Sequence, residues 1–334
     1  MTSLPTLSPF SLYSRFLRQG TIAEPKGVPE PRFALQATVY WVRALNLLAK
    51  AHPIDWPTML SFYSAVRKAT LTDQAKNTVF EQLLMSLHHL SSLRAMSGAV
   101  KRVDIGRSAI VTWYYGIYHA ASAMIAAQHG THQDSHAETS NVWDRELTGR
   151  QLVAPPFDMR LTSLVEATTK VEIANLLAGA SARPVHEEPT SIADAHAACV
   201  SYLSGSADYY RWLICEDIRG SREFKTLGVK DFRTNAAKAL RDGRFAGRTL
   251  GFVHQAFRYR GKANYREALF ISYGLQVETL LNGFNENLAD VLHAFLTMAG
   301  AFCSKRIGKA EWGQFTADLD QNLPLTITPA KIWA

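Results

Sequence analysis

The sequence has few cysteines and lacks the short motifs that mark the commonest nucleotide-dependent and redox enzymes. Cys199, Cys215 and Cys303 are too widely spaced for a disulfide framework or a zinc pattern. A Walker A sequence, a GxGxxG turn, a GxSxG elbow and a CxxC pair are all absent from the sequence. These absences argue against nucleotide-dependent and redox enzymes, and we expect no cofactor.

Strand patterns are also scarce, and the N-terminus lacks the features of a secretory signal. Only residues 325–328 alternate between apolar and polar side chains in the manner of a strand. The first 33 residues contain five prolines and predict an extended arm. No charged start followed by an apolar run is present, so a reducing cytoplasm fits best.

A stretch of 21 residues, 108–128, carries no charged side chain if histidine is neutral. Its apolar residues recur three or four positions apart, as in Ile110, Trp113 and Ile117, which places them on one face of a helix. The stretch is long enough to cross a membrane, but His119 and its several Ser, Thr and Tyr residues favour burial inside a protein. We predict the central helix of an all-α core, ended by Gly130, and no membrane partner.

Helical spacing also accounts for most of the remaining chain. Pro53 and the pair Pro155-Pro156 interrupt it. Thr72 and the Ser191–Asp194 capping box predict two helix starts. The predicted helices, besides the central one, cover residues 34–51, 56–69, 72–96, 157–178, 191–218, 230–241, 245–259, 263–283 and 286–304.

The excess of positive charge is concentrated in one block. The chain has a net charge of +7, but residues 219–266 contain thirteen Lys and Arg against three acids, a net charge of +10, which leaves −3 for the other residues. We therefore predict a helical bundle over residues 34–218 and a basic C-terminal helical domain over residues 219–334. A basic block of this size attracts polyanions, first nucleic acid and second an anionic membrane surface.

Aromatic residues are interleaved with the cations of this block. The spacing of Arg241, Arg244 and Arg248 places them on one helix face. The spacing of Arg258, Lys262 and Arg266 places them on a second one, and aromatic neighbours would add base stacking to phosphate contacts. The alternative is a solvated face that meets an acidic protein. The candidate nucleic-acid-binding residues are Arg241, Arg244, Arg248, Arg258, Tyr259, Arg260, Lys262, Tyr265 and Arg266.

The middle of the chain carries Ser108, Tyr114-Tyr115-x-x-Tyr118-His119-Ala120-Ala121, Gly130 and Ser135-His136. On these residues, 105–218 resembles the HEPN superfamily, the small helical bundles of prokaryotic toxin–antitoxin and defence loci. The resemblance implies a HEPN-like bundle closed by the helix near 193–218. It also implies an antiviral-defence or toxin–antitoxin setting, in which RNA is the favoured nucleic acid.

The ribonuclease signature of that superfamily is an Arg followed by four to six residues and a His. Arg248 and His254 have this spacing, whereas Arg260 is followed at the matching distance by Tyr265. His would take the proton of the 2′-hydroxyl and Arg would bind the phosphate oxygens. On one straight helix, six positions rotate by about 240°, so the pair would converge only at a distorted turn or across a dimer. The alternative is an exposed basic helix.

Four potential metal ligands lie within eight residues: His129, His132, Asp134 and His136. They fall in a predicted turn, where a polar connecting loop is the alternative, and we expect no metal. The sequence as a whole predicts a nucleic-acid-binding helical subunit without catalysis of its own. A metal-independent endoribonuclease and an interaction module for an acidic protein are the alternatives. A homodimer or a larger complex is compatible with each.

Overall fold

The computed structural model describes residues 34–264, 271–272 and 277–334. These ranges contain helices and no β-strand, so the predicted all-α fold class is confirmed. The predicted arm over residues 1–33 lies outside them. The helices are α1 (Ala34–Ala51), α2 (Trp56–Phe62), α3 (Asp73–Met96), α4 (Arg102–His129), α5 (His136–Glu146), α6 (Glu166–Leu177), α7 (Ile192–Gly220), α8 (Arg222–Thr226), α9 (Asn235–Ala246), α10 (Phe252–Asn264), α11 (Val277–Leu280), α12 (Phe284–Ile307) and α13 (Lys309–Asn322).

Helix α4 is the central helix of the core, as the sequence predicted. It packs against α3, α5, α10 and α12, and its residues Trp113 and Ile117 have no exposed surface. Gly130 ends the helix in the left-handed conformation, with φ 69°, and its N–H donates to the carbonyl oxygen of Ala126. Glycine adopts this conformation without the steric penalty of a side chain.

The close contact of α4 with α12 depends on the absence of a side chain at position 116. A Cβ atom built on Gly116 would lie 2.4 Å from Cδ2 of Leu292, a fully buried residue of α12. On α3, the hydroxyl of Ser86 donates a 2.9 Å hydrogen bond to the carbonyl oxygen of Gly116. Gly116 therefore lets α12 approach the central helix closely, and its backbone carbonyl anchors α3 to the same turn.

Four aromatic rings join helices from distant parts of the chain. Trp41 of α1 stacks on Tyr202 of α7, with ring centroids 4.1 Å apart, and meets Trp113 of α4 edge to face at 5.9 Å. Tyr259 of α10 lies 4.8 Å from Trp41 and 5.5 Å from Trp113. Such pairs add about 0.5–1.5 kcal/mol beyond the burial of their area. This cluster ties α1, α4, α7 and α10 into one core.

The predicted boundary between residues 218 and 219 does not divide the hydrophobic core. The main buried cluster contains residues on both sides of it, including Trp113 of α4, Phe252 of α10 and Phe302 of α12. Residues 219–248 behave differently, because their buried side chains belong to smaller clusters. Phe224 packs with the end of α7, and Phe245 packs with Leu161.

Several helix boundaries differ from those predicted. Residues 157–165 are not helical, and α6 begins only at Glu166. Leu161 instead exchanges two backbone hydrogen bonds with Leu250, at 2.8 and 3.0 Å, so tertiary contacts override the local pattern. Residues 325–328 form no strand, and the described part of the chain contains no strand that could pair with them. Helices α5, α8 and α13 were not predicted.

The predicted helix starts are confirmed. The Thr72 hydroxyl accepts a hydrogen bond from the N–H of Ala75 at the start of α3. At the start of α7, Ser191 and Asp194 form a reciprocal capping box, with Asp in the position usually held by Glu or Gln. Local sequence therefore determines where these two helices begin.

A pair of glycine substitutions tests the close approach at Gly116. We expect Gly116→Ala to destabilise the protein by about 1–3 kcal/mol, because the new methyl group overpacks against Leu292. Gly243→Ala in α9 is the matched control, since a Cβ there meets nothing within 4 Å, and should stabilise by about 0.5–1 kcal/mol. Urea unfolding measures both changes. Equal effects at the two sites would contradict the packing at Gly116.

Candidate nucleic-acid interface

Most of the cations between residues 219 and 248 are exposed. This segment, which we call the cationic surface, contains nine Lys and Arg and three acids, a net charge of +6. In the part of the chain that the structure describes, the residues of this segment that make no ion pair are Arg222, Lys225, Lys230, Lys238, Arg244 and Arg248. All six are exposed. Their charges are available to an external partner.

Short local features hold the cationic surface against the end of α7. The hydroxyl of Ser221 accepts a hydrogen bond from the N–H of Phe224, and that of Thr234 accepts one from Ala237. Phe224 and Ala237 are buried together with Ile218. Because the apolar side chains of α8 and α9 face this small core, the long basic side chains between them face solvent.

The predicted helix face of Arg241, Arg244 and Arg248 is only partly formed. Arg241 and Arg244 lie on α9, but the helix ends at Ala246, so Arg248 lies in the connection to α10. Arg241 is half-buried, pairs with Asp242 at 2.7 Å and lies over the ring of Phe245. Arg244 and Arg248 are the exposed members of the group.

The second predicted basic face is described only for Arg258 and Lys262, which lie on α10 and point toward the protein interior. Arg258 and Lys262 both lie over the ring of Tyr202, and Arg258 also donates to the hydroxyl of Ser206 at 2.9 Å. Lys262 is buried. Both side chains therefore serve the packing of α10 against α7, by cation–π contacts, and not the binding of an external phosphate.

The remaining candidates for nucleic-acid binding, two tyrosines and two arginines, also include residues that lie inside the protein. Tyr259 has no exposed surface, and its hydroxyl donates to the carbonyl oxygen of Thr38 at 2.8 Å, so its ring cannot stack on a base while the core is folded. Arg260 is half-buried over the rings of Tyr114 and Phe257. The two remaining candidates, Tyr265 and Arg266, lie outside the described residues.

The predicted catalytic pair is divided between the surface and the interior. Arg248 is exposed, whereas the side chain of His254 in the first turn of α10 is buried. The N–H of Gly251 donates to Nδ1 of His254 at 3.2 Å, so the other ring nitrogen carries the proton and donates to Oδ1 of Asn141 at 3.0 Å. With both nitrogens engaged, His254 has no lone pair free to accept the proton of a 2′-hydroxyl.

Burial lowers the pKa of His254 to about 4, and the nearby guanidinium groups of Arg248 and Arg160 add to this effect. The carboxylate of Asp144 opposes it. A neutral imidazole is consistent with the two hydrogen bonds, since Nδ1 can accept one only when it is unprotonated. His254 is therefore a structural group in this geometry.

The four potential metal ligands of the predicted turn are not gathered into a site. Within the described ranges, no group of three or more His, Cys, Asp or Glu side chains could hold a metal ion. His129 instead lies 3.1 Å from Glu146, and His136 is the first residue of α5. These side-chain positions favour a polar connection between α4 and α5 over a metal site.

A cluster of histidines and tyrosines was not predicted as a group, although the sequence contained its signal. His136 meets Tyr118 edge to face at 4.5 Å, and His119 stacks on His89 at 5.5 Å. Burial lowers the pKa of His119 to about 4 and also lowers the pKa values of His89 and His136. Tyr118, His119 and His136 belong to the segments that resemble the HEPN superfamily, but sequence spacing does not show that their rings meet.

Comparisons of the chain with protein-family models, with curated protein sequences and with solved structures found no match. The resemblance of residues 105–218 to the HEPN superfamily thus stays a prediction. Among the helices of the described ranges, none is both long and apolar enough to cross a membrane.

The lowered pKa of His254 predicts a loss of stability in acid. In the unfolded chain the imidazole of His254 has a pKa near 6.5 and becomes protonated as the pH falls below 6.5. In the folded protein the same imidazole stays neutral until the pH approaches its lowered pKa of about 4. We expect His254 alone to account for a loss of about 2 kcal/mol between pH 7 and pH 5.

Urea unfolding of the wild type and of His254→Gln at the two pH values measures this contribution. The variant should show a pH dependence smaller by about that amount, whatever its stability at pH 7. Gln retains an N–H donor for Asn141 but does not titrate. An unchanged pH dependence would mean that His254 does not titrate with a lowered pKa.

Proposed function

We propose that the protein binds nucleic acid through the cationic surface, and that RNA is the favoured partner. The observation that carries the proposal is the exposure of six cations without ion pairs on a segment whose net charge is +6. Phosphate backbones meet such a surface by releasing condensed counterions, which makes the binding strong at low salt and weak at high salt.

The folding of this segment supports the same proposal. Residues 219–248 bury few apolar side chains, and those lie against α7 and residues 161–164. The long cationic side chains are therefore not needed to cover the main core, in contrast to Arg258 and Lys262. Their concentration on one small unit, at the cost of mutual repulsion, is typical of a surface that meets a polyanion.

The proposed role is binding without cleavage. A metal-independent ribonuclease needs a group that accepts the 2′-hydroxyl proton, and both ring nitrogens of His254 are hydrogen-bonded inside the protein. The preference for RNA, and a setting in prokaryotic defence or toxin–antitoxin systems, come from the resemblance to the HEPN superfamily. They are part of the proposal.

A charge-reversal triple variant tests the surface. We expect Arg222→Glu, Lys225→Glu and Lys230→Glu together to weaken the binding of a single-stranded RNA steeply. The slope of log affinity against log salt should become shallower by about 2, because each lost phosphate contact removes about 0.7 on single strands. Fluorescence anisotropy with a labelled 15-nucleotide RNA, at salt concentrations from 50 to 300 mM, measures both quantities.

The matched control reverses three exposed cations elsewhere, with Arg67→Glu, Lys101→Glu and Lys309→Glu. It makes the same change in net charge and should retain most of the affinity. A DNA strand of the same sequence tests the preference for RNA. Equal losses in the two triple variants, or wild-type protein that binds neither strand, would contradict the proposal, and the latter result would point to an acidic protein partner.

A further inference from the structure

A polar pocket of about 470 Å³ lies between α5 and the connection that follows α9. The side chains that matter for its chemistry are those of Glu138, Asn141, Arg145, Arg160, Arg248 and Thr249. Three guanidinium groups, one amide and one hydroxyl thus line the pocket beside the carboxylate of Glu138. Two of the guanidinium groups are also paired with carboxylates, Arg145 with Glu146 at 2.7 Å and Arg160 with Asp144 at 2.8 Å. The volume lies within the range of pockets that hold nucleotide-sized ligands.

A buried chain of hydrogen bonds determines which end of Asn141 faces this pocket. The Gly251 N–H occupies Nδ1 of His254, so the proton on Nε2 must be donated to the amide oxygen of Asn141. The NH₂ group of Asn141 therefore points away from His254, and the side chain lines the pocket. His254 acts as a positioning residue that makes Asn141 a hydrogen-bond donor to whatever the pocket holds.

A buried carboxylate fixes Arg160 in a similar way. Oδ2 of Asp144, which has no exposed surface, accepts a 2.8 Å hydrogen bond from Nη2 of Arg160. Gly251 leaves room for Asp144, since a Cβ there would lie 2.3 Å from Oδ1. One hydrogen bond holds the guanidinium in place, and its Nε–H is buried, so the Nη groups are the ones that can donate to a ligand. This is the arrangement in which Arg binds phosphate oxygens with geometric specificity.

We propose that this pocket binds a phosphate monoester, carried by the end of an RNA strand or by a free nucleotide. Arg145 and Arg248 are exposed at the pocket, and Arg248 belongs to the cationic surface. An RNA strand bound to that surface would place its terminal phosphate at Arg248 without any rearrangement of the protein. The idea that an RNA strand carries the phosphate rests on the proposed function. The binding of a phosphate monoester itself rests on the residues of the pocket alone.

The first experiment compares three labelled 12-nucleotide RNAs of one sequence, with a 5′-phosphate, a 3′-phosphate or hydroxyl groups at both ends. We expect the wild type to bind one phosphorylated strand about tenfold more tightly than the hydroxyl strand, because a doubly charged phosphate gains charge-assisted hydrogen bonds. Adenosine 5′-monophosphate, titrated by calorimetry, tests the free nucleotide as the source.

Isosteric variants separate a role in binding from a role in folding. Asn141→Asp places a carboxylate where the amide donates, and Arg248→Gln removes one guanidinium, so each should reduce the preference for the phosphorylated strand at least severalfold. Glu138→Gln removes the carboxylate of the pocket and should increase the same preference. A change that only disturbed the fold would not strengthen binding.

Two variants of His254 test its positioning role. His254→Gln keeps an N–H donor toward Asn141 and should retain the preference, whereas His254→Leu lacks the donor and should lose it. Both should bind the hydroxyl strand as the wild type does, which also shows that they are folded.

The outcomes distinguish the pocket from the cationic surface. Charge reversal at Arg222, Lys225 and Lys230 should lower the affinity for all three RNAs by the same factor. It should leave the affinity for adenosine 5′-monophosphate unchanged. A wild type that binds the nucleotide but no RNA would retain the pocket and contradict the proposed function. If the wild-type protein neither prefers a phosphorylated end nor binds the nucleotide, the proposed phosphate site is wrong.

Discussion

The burial of most of the surface of α4 is the constraint on which the other packing depends. A helix can be enclosed in this way only if its neighbours approach closely, and Gly116 permits this for α12 while Ser86 anchors α3 to the same turn. The aromatic cluster around Trp41 and Trp113 then joins α1, α7 and α10 to the enclosed helix. Each of these contacts removes apolar area from water, which stabilises the fold by roughly 25 cal/mol per Å².

The same residue types serve two different purposes in the basic block. On α10, Arg258 and Lys262 extend over the ring of Tyr202, where their apolar stems and their charges both contribute to packing. On the cationic surface, Arg222 and Lys225 face solvent without an ion pair. Net charge alone would assign all of them to one interface. The position of α10 beside α4 and α7 separates them, because any side chain on the inner face of that helix is enclosed.

The interior beside the cationic surface is organised by two polar residues, His254 and Asp144. Each is buried, and each is matched by a partner at the edge of the pocket, Asn141 or Arg160. A buried polar group that lacks such a partner would be costly, so the pair of contacts maintains the orientation of the outer side chains. In this arrangement the residue that looked catalytic in the sequence determines which atoms a ligand would meet.

From the sequence alone we could predict the helical class, the central helix, its end at Gly130 and the starts of α3 and α7. These features depend on periodicity and on hydrogen bonds within a few residues, which a single sequence displays. Other features follow from the way the helices pack together. Residues 157–165 are not helical, one core crosses the predicted boundary, and Tyr259 and Lys262 are buried. Packing also brings Asn141 and Arg160 together with Arg248 at one pocket. These features depend on which helices become neighbours, and contacts between residues far apart in the sequence leave no periodic signal in the chain.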